Sequence, residues 1–267
     1  MVQVVFQGLG RIAIHFFGYL GQLADLFRET AAAFFIGVKR PALIGRQVVS
    51  IGFGSQLVVV VTGAFTGAVF AAQTYFKFSE YGLESGVGPV VSIAMCRELG
   101  PVLTGLMVAG RVGAAMAAEI GTMKVTEQID ALRAMGVHPT DYLVLPRAAG
   151  MFFSMPLLVA EATGFGIAAS YLVTVVGFRV PYSWYDVQIR AFTSLGDISI
   201  GMIKGFVFGV LIVLISCHQG LTAKNGAVGV GRSTTSAVVI SSLAILISNF
   251  FLSVLLNYFF PLGGSTN

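Results

Sequence analysis

Charge is what this sequence has least of. Aspartate, glutamate, lysine and arginine make up 10% of its 267 residues, against about 25% in a soluble domain. A chain this poor in charge cannot clothe a water-facing surface. With 56% hydrophobic residues and a mean hydropathy of +0.86 it reads as an integral membrane protein. Cysteine is nearly absent: Cys96 and Cys217 both lie in apolar runs, which fits small core residues rather than a disulfide framework or a metal site. His15, His138 and His218 stand far apart with no ligand partners at metal spacing. No HExxH, CxxC or serine-nucleophile motif occurs, so nothing points to an enzyme. The net charge of +4 is spread along the chain without the basic cluster that nucleic acid attracts. There is no sizeable soluble stretch, internal repeat or low-complexity tract. The N-terminus lacks a basic start followed by a short apolar run and a small-residue cleavage site, so a removable signal peptide is not expected.

What is present is a series of apolar runs. The first, 8–36, is amphipathic: Leu9, Ile12, Phe16, Leu20, Leu23, Phe27, Ala31 and Phe34 recur at helical spacing, with Arg11, His15, Gln22, Asp25 and Glu29 on the other face. We read it as an interfacial helix. Lys39, Arg40, Pro41 and Arg46 then break the helix. Runs at 48–72, 87–118, 148–178, 198–217 and 237–260 each reach the roughly 20 residues a span needs. The fold class is therefore an all-α integral membrane protein with about five transmembrane helices. Its domains are 1–46, the amphipathic helix and linker, and 47–267, the spanning region. Most of the lysines and arginines fall on the side holding the N-terminus and the polar block 119–147, which places that side in the cytoplasm and the C-terminus outside.

Four features carry the candidate chemistry. The block "EIGTMKVTEQIDALRAMGVHPTDYLVLPR" predicts a short helix over 125–135, capped by Thr126 and ended by Gly136. Ile129, Leu132 and Met135 form an apolar stripe among Glu127, Asp130 and Arg133, a pattern suited to docking in the groove of a motor protein and equally to an ordinary loop helix. The segment 218–236 reads as a Gly-rich basic loop. Its Gly226, Gly231, Arg232 and Ser233 sit at phosphate-loop spacing with arginine in place of lysine, but no strand precedes them, so a turn leading into the last span is expected. Glu161 is a lone acid within the third span, an intramembrane polar site that reads either as a proton or substrate site or as a structural residue between helices. Finally, "SIAMCRELGPVLTG" puts Arg97, Glu98 and Pro101 into an apolar span. Such charges call for a polar cavity, a helix seam or a span end.

That last stretch and its continuation, "RELGPVLTGLMVAGRVGAAMAAEIGTMKVTEQIDALRAMGVHP", resemble the signature region of the MlaE/YrbE permeases, the membrane subunits of MCE-associated ABC transporters. "GVGRSTTSAVVISSLAIL" resembles the family's second well-marked stretch. The resemblance covers nearly the whole chain. It implies a homodimeric inner-membrane permease that moves phospholipid between inner and outer membranes and so maintains outer-membrane lipid asymmetry. It implies no cofactor on this chain; ATP and Mg belong to a cytoplasmic ATPase dimer. A periplasmic MCE-domain hexamer and a STAS-domain subunit complete the expected partners. On this basis Arg97 and Glu98 are expected to bind lipid, and Glu127, Ile129, Asp130, Leu132, Arg133 and Met135 to contact the ATPase. Two other classes remain beside it: an ion- or proton-coupled secondary transporter using Glu161, and a membrane scaffold for a lipid-binding partner. The odd span count and lack of a repeat weigh against the former.

Overall fold

The computed structural model of the chain describes residues 2–36 and 41–259. Among them the fold is all-α with no strand. Eight helices follow one another: α1 (Val2–Ile36), α2 (Pro41–Ser79), α3 (Glu84–Val125), α4 (Gln128–Ala134), α5 (Thr140–Gly177), α6 (Tyr182–Phe192), α7 (Leu195–Leu221) and α8 (Gly226–Phe259). Helices α2, α3, α5, α7 and α8 are long and apolar enough to cross a membrane, which makes five spans. Helices are what a single spanning segment must form, because lipid supplies no partner for backbone N–H and C=O groups.

The centre is α5, which packs chiefly on α2 and α7. Met151 and Met155 of α5 are buried in one apolar core with Ile51 of α2, Val108 of α3, Phe208 and Ile212 of α7, and Ile245 of α8. Small residues let the backbones close up. A side chain at Gly63 would meet the Ala162 backbone, and one at Gly67 the Gly166 backbone. One end of the bundle carries α4 and an ion pair between Arg147 Nη2 and Glu119 Oε2 at 2.6 Å. The other carries α6, whose Tyr185 hydroxyl donates to Ser170 Oγ at 3.2 Å. Burial pushes the Tyr185 phenol above its ordinary pKa.

Several boundaries differ from the sequence reading, each for a local reason. Pro41 begins a helix instead of breaking one, as proline does at a first helical position, so the expected 46/47 boundary falls inside α2. Lys39 and Arg40 lie outside the described residues. The supposed loop 218–236 shrinks to 222–225. Helix α7 runs on to Leu221, and α8 begins at Gly226, where positive φ at Asn225 and Gly226 makes the turn. The phosphate-loop spacing is thus wound into a helix. Thr126 does not cap α4; its hydroxyl donates back to the Thr122 carbonyl. The other end is as expected: Gly136, at φ +74°, donates to Arg133 O at 3.0 Å while Val137 donates to Leu132 O at 3.0 Å, closing the helix with the paired bonds a left-handed glycine allows.

Helix α1 lies against this end of the bundle through Leu26, Thr30 and Ala33, which are buried. Gln22 and Glu29, expected on the solvent face, instead meet the bundle: Gln22 Oε1 pairs with His218 Nε2 at 2.9 Å, and Thr140 Oγ1 donates to Glu29 Oε2 at 2.9 Å. Phe27, Ala31 and Phe34 flank the contact and line an apolar groove with Phe152 and Phe206. The side chains of Leu9, Arg11, Ile12, His15 and Phe16 lie outside the described residues.

Candidate functional site: a charged cluster between three spans

Arg97 and Glu98 sit in a five-residue π-helical turn of α3, Met95–Leu99, the kind of local irregularity that re-aims side chains. The two residues point at different partners. Arg97 Nε is paired with Asp197 Oδ1 of α7, and Arg97 Nη1 donates to Asn257 Oδ1 of α8. Asp197 also caps its own helix: Oδ2 accepts from Ser194 N at 2.7 Å and from Ser194 Oγ at 2.9 Å. That fixes the carboxylate before it meets the guanidinium. Arg97 and Asp197 are 6% and 2% exposed, a buried pair.

Glu98 faces Lys204 of α7. Lys204 is fully buried, and its ammonium uses all three donors: Glu98 Oε1 at 2.8 Å, Ser253 Oγ at 2.8 Å and the Arg97 carbonyl at 2.7 Å. Glu98 in turn accepts from Asn249 Nδ2 at 2.9 Å and Ser253 Oγ at 2.9 Å. Its side chain stays 42% exposed, so it is the face this cluster presents outward. Two acids and two bases, joined through three polar residues of α8, form a near-neutral polar patch inside an apolar bundle. This is the arrangement in which buried charges are tolerated.

The sequence reading singled out Arg97 and Glu98 but passed over Asp197, Lys204, Asn249, Ser253 and Asn257. The signal was there. Asp197 and Lys204 are seven residues apart, two helical turns, and Asn249, Ser253 and Asn257 recur every four residues, so each set shares one face.

The other expected residues are apart from this cluster. Glu161 of α5 accepts from Gln56 Nε2 of α2 at 3.0 Å, while its Oε2 is buried without a partner. On α4 the expected stripe divides. Ile129 is fully buried in the chain's own core and Leu132 packs on it, whereas Met135 is 69% exposed. Ile129 and Leu132 therefore serve the fold, and the free face of α4 is Glu127, Asp130, Arg133 and Met135. Asp130 is held by Lys124 at 3.2 Å and Arg133 at 3.3 Å. Among the described residues no group of histidine, cysteine and carboxylate side chains is arranged to hold a metal.

The family model for permease MlaE matches residues 44–255, which takes in all five spans and every member of the cluster except Asn257. The chain belongs to the MlaE permease family. This MlaE-family chain is 47% identical over 215 residues to a probable ABC transporter permease protein of Rickettsia typhi, covering 80% of this chain and 83% of that one. It is 42% identical over 240 residues to a probable ABC transporter permease protein of Synechocystis, covering 86% and 91%. It is 40% identical over 209 residues to the chloroplastic protein trigalactosyldiacylglycerol 1 of Arabidopsis thaliana, covering 78% and 59%. The MlaE-family permease is a multi-pass membrane subunit of an ABC transporter.

Proposed function

We propose that this permease moves phospholipid, and that the Arg97–Glu98–Asp197–Lys204 cluster is the polar end of the lipid path. One observation carries the reading: four charged side chains are gathered inside the spans, with Glu98 left open at 42% exposure. A lipid is the substrate that needs such a site, because its head group is charged and its tails require apolar walls. The name of the plant relative, which contains a diacylglycerol lipid, points the same way. Arg97 is tied to Asp197 and Asn257, so a phosphate reaching it takes the place of Asn257 on the outer helix α8, and the planar fork of the guanidinium suits that exchange. Glu98 balances Lys204 and sets the charge the head group meets.

In this reading two copies of the chain form the permease in an inner membrane. The N-terminus and α4 are cytoplasmic and the C-terminus periplasmic. The exposed face of α4 meets an ATPase dimer, which holds ATP and Mg and does the hydrolysis. A periplasmic MCE-domain hexamer receives or delivers the lipid, a STAS-domain protein joins the ATPase, and the net effect maintains outer-membrane asymmetry. Glu161, bonded to Gln56, serves as a polar strut between α2 and α5.

The experiment is purification of the chain from its native membrane, followed by reconstitution and transfer of a fluorescent phospholipid. Copurification of an ATPase and an MCE protein, with transfer that requires ATP, supports the reading. Transfer by the chain alone, driven by a proton gradient and lost in Glu161→Gln, overturns it in favour of a secondary transporter.

A further inference from the structure

Arg111 is a further charge within α3, and the cluster does not use it. It lies 14 residues beyond Arg97, about 21 Å along the helix at 1.5 Å per residue, and eight residues before Glu119. Its position is inside the span, and the residue is exposed. Among the described residues no carboxylate pairs with it. Its one side-chain bond among the described residues is from Nη1 to Ser55 Oγ of α2 at 2.7 Å.

The seat of this guanidinium is built by both helices. Arg111 sits in a π-helical turn, Ala109–Gly113, and Ser55 follows directly on another, Val49–Phe53, with Gly54 between. A Cβ on Gly54 would stand 2.5 Å from Arg111 Nη2, so the guanidinium lies beside α2 at Gly54, and a side chain there would push it aside. The head is thus held within the span, not extended to its end. Only one of its five N–H donors is used by Ser55. An arginine fork anchored at one nitrogen, with donors to spare and no acid beside it among the described residues, is an arrangement that takes a phosphate or other oxyanion in two parallel bonds.

We infer that Arg111, seated by Gly54 and Ser55, is an oxyanion site on the exposed α2–α3 face, and that it takes the phosphate of a lipid head group at a second position along the span. The inference rests on the phospholipid reading, which it deepens: the head group would have two polar stations, each with an arginine, about 21 Å apart.

The test uses the full chain in dodecyl maltoside, a detergent without phosphate, and a phosphatidylglycerol bearing a diazirine near its head group. After irradiation, labelled peptides are mapped by mass spectrometry. Label is expected in 54–61 and 107–115. It should fall about tenfold in Arg111→Ala, as for loss of a hydrogen bond to a charged group, and part-way in Arg111→Lys and Ser55→Ala, with all variants eluting as the parent does on size exclusion. Inorganic phosphate added in excess separates the two sources of the same chemistry. Label that resists it assigns the site to the lipid; label that it displaces keeps the site but assigns it to a soluble anion. Wild-type labelling in Arg111→Ala overturns the inference, as does absence of label from both peptides, including the case in which a second copy of the chain covers them. If the peptide holding Glu98 is labelled while these are not, only this inference fails. If neither region is labelled, the phospholipid reading fails with it.

Discussion

Helices α5 and α8 are both spans, yet they are held in opposite ways. The most hydrophobic stretch of α5 is 67% buried within the chain and that of α8 only 11%. Helix α5 is fixed by shape: its glycine and alanine positions admit the α2 backbone, and Met151 and Met155 fill the core beside Phe208. Helix α8 buries few apolar side chains in its C-terminal half. There it is gripped by Asn249, Ser253 and Asn257, which bind Glu98, Lys204 and Arg97, while Leu246, Ile247, Phe250, Phe251 and Val254 face away. An element with few buried apolar contacts is the one that opens most readily. The charged cluster therefore lies between α8 and the rest of the bundle.

The contrast breaks first at α5. Gly67→Val puts a branched side chain against the Gly166 backbone, which has no rotamer to give. We expect a loss of about 3 kcal/mol, seen as a lower unfolding midpoint in detergent; an unchanged midpoint would mean that α2 and α5 do not touch there. Next comes the grip on α8. Lys204→Met leaves Glu98 without its cation and Ser253 without one of its partners. The expected cost is about 2 kcal/mol, with faster thiol labelling of a Ser253→Cys probe, because α8 is released. Adding Glu98→Gln to Lys204→Met should recover part of that loss, since no unpaired charge then remains. The smallest effect belongs to the outer face of α8. Phe250→Ala should change the unfolding midpoint of the isolated chain by less than about 0.5 kcal/mol, as for other exposed positions; a larger loss in the assembled complex than in the isolated chain would show that this face is covered by another subunit.

At the end bearing α4, Met135→Asp should weaken ATPase copurification without destabilising the chain, because Met135 is exposed. Substituting Ile129 or Leu132 instead should destabilise the chain itself, because Ile129 is part of its core and Leu132 packs against that core. Equal effects on copurification and stability from all three would contradict the division of α4 into an inward and an outward face.

This division also shows what was legible in the sequence and what was not. The five spans were, because apolar length is a local property; so were Gly136 as the end of α4 and the charges at Arg97 and Glu98. The partners of those charges were harder to see. Asp197, Lys204 and Asn257 each lie 100 or more residues from the charge they bind, and only the packing of α3 against α7 and α8 brings them together. The stripe Ile129–Leu132–Met135 was read correctly as periodic, but periodicity does not say whether a face turns toward its own chain or a partner. The Gly-rich run before Ala237 misled because glycine at a turn and glycine at a helix contact look alike in sequence; here Gly229 is buried within α8, and only Asn225 and Gly226 make the turn.

The most direct measurement is ATP-driven transfer of phospholipid by the reconstituted complex carrying Glu98→Gln, expressed per folded complex. The substitution keeps the shape of Glu98 and one acceptor oxygen, enough for Lys204 and Ser253, but gives up the acceptor for Asn249 Nδ2 and removes the charge at the exposed face of the cluster. Transfer about tenfold below wild type, the loss expected for a charged hydrogen-bonding group, with ATPase copurification unchanged, is the predicted result. Transfer at the wild-type rate in Glu98→Gln, and likewise in Arg97→Lys, would show that the cluster only fastens α8 to the bundle and that lipid passes elsewhere.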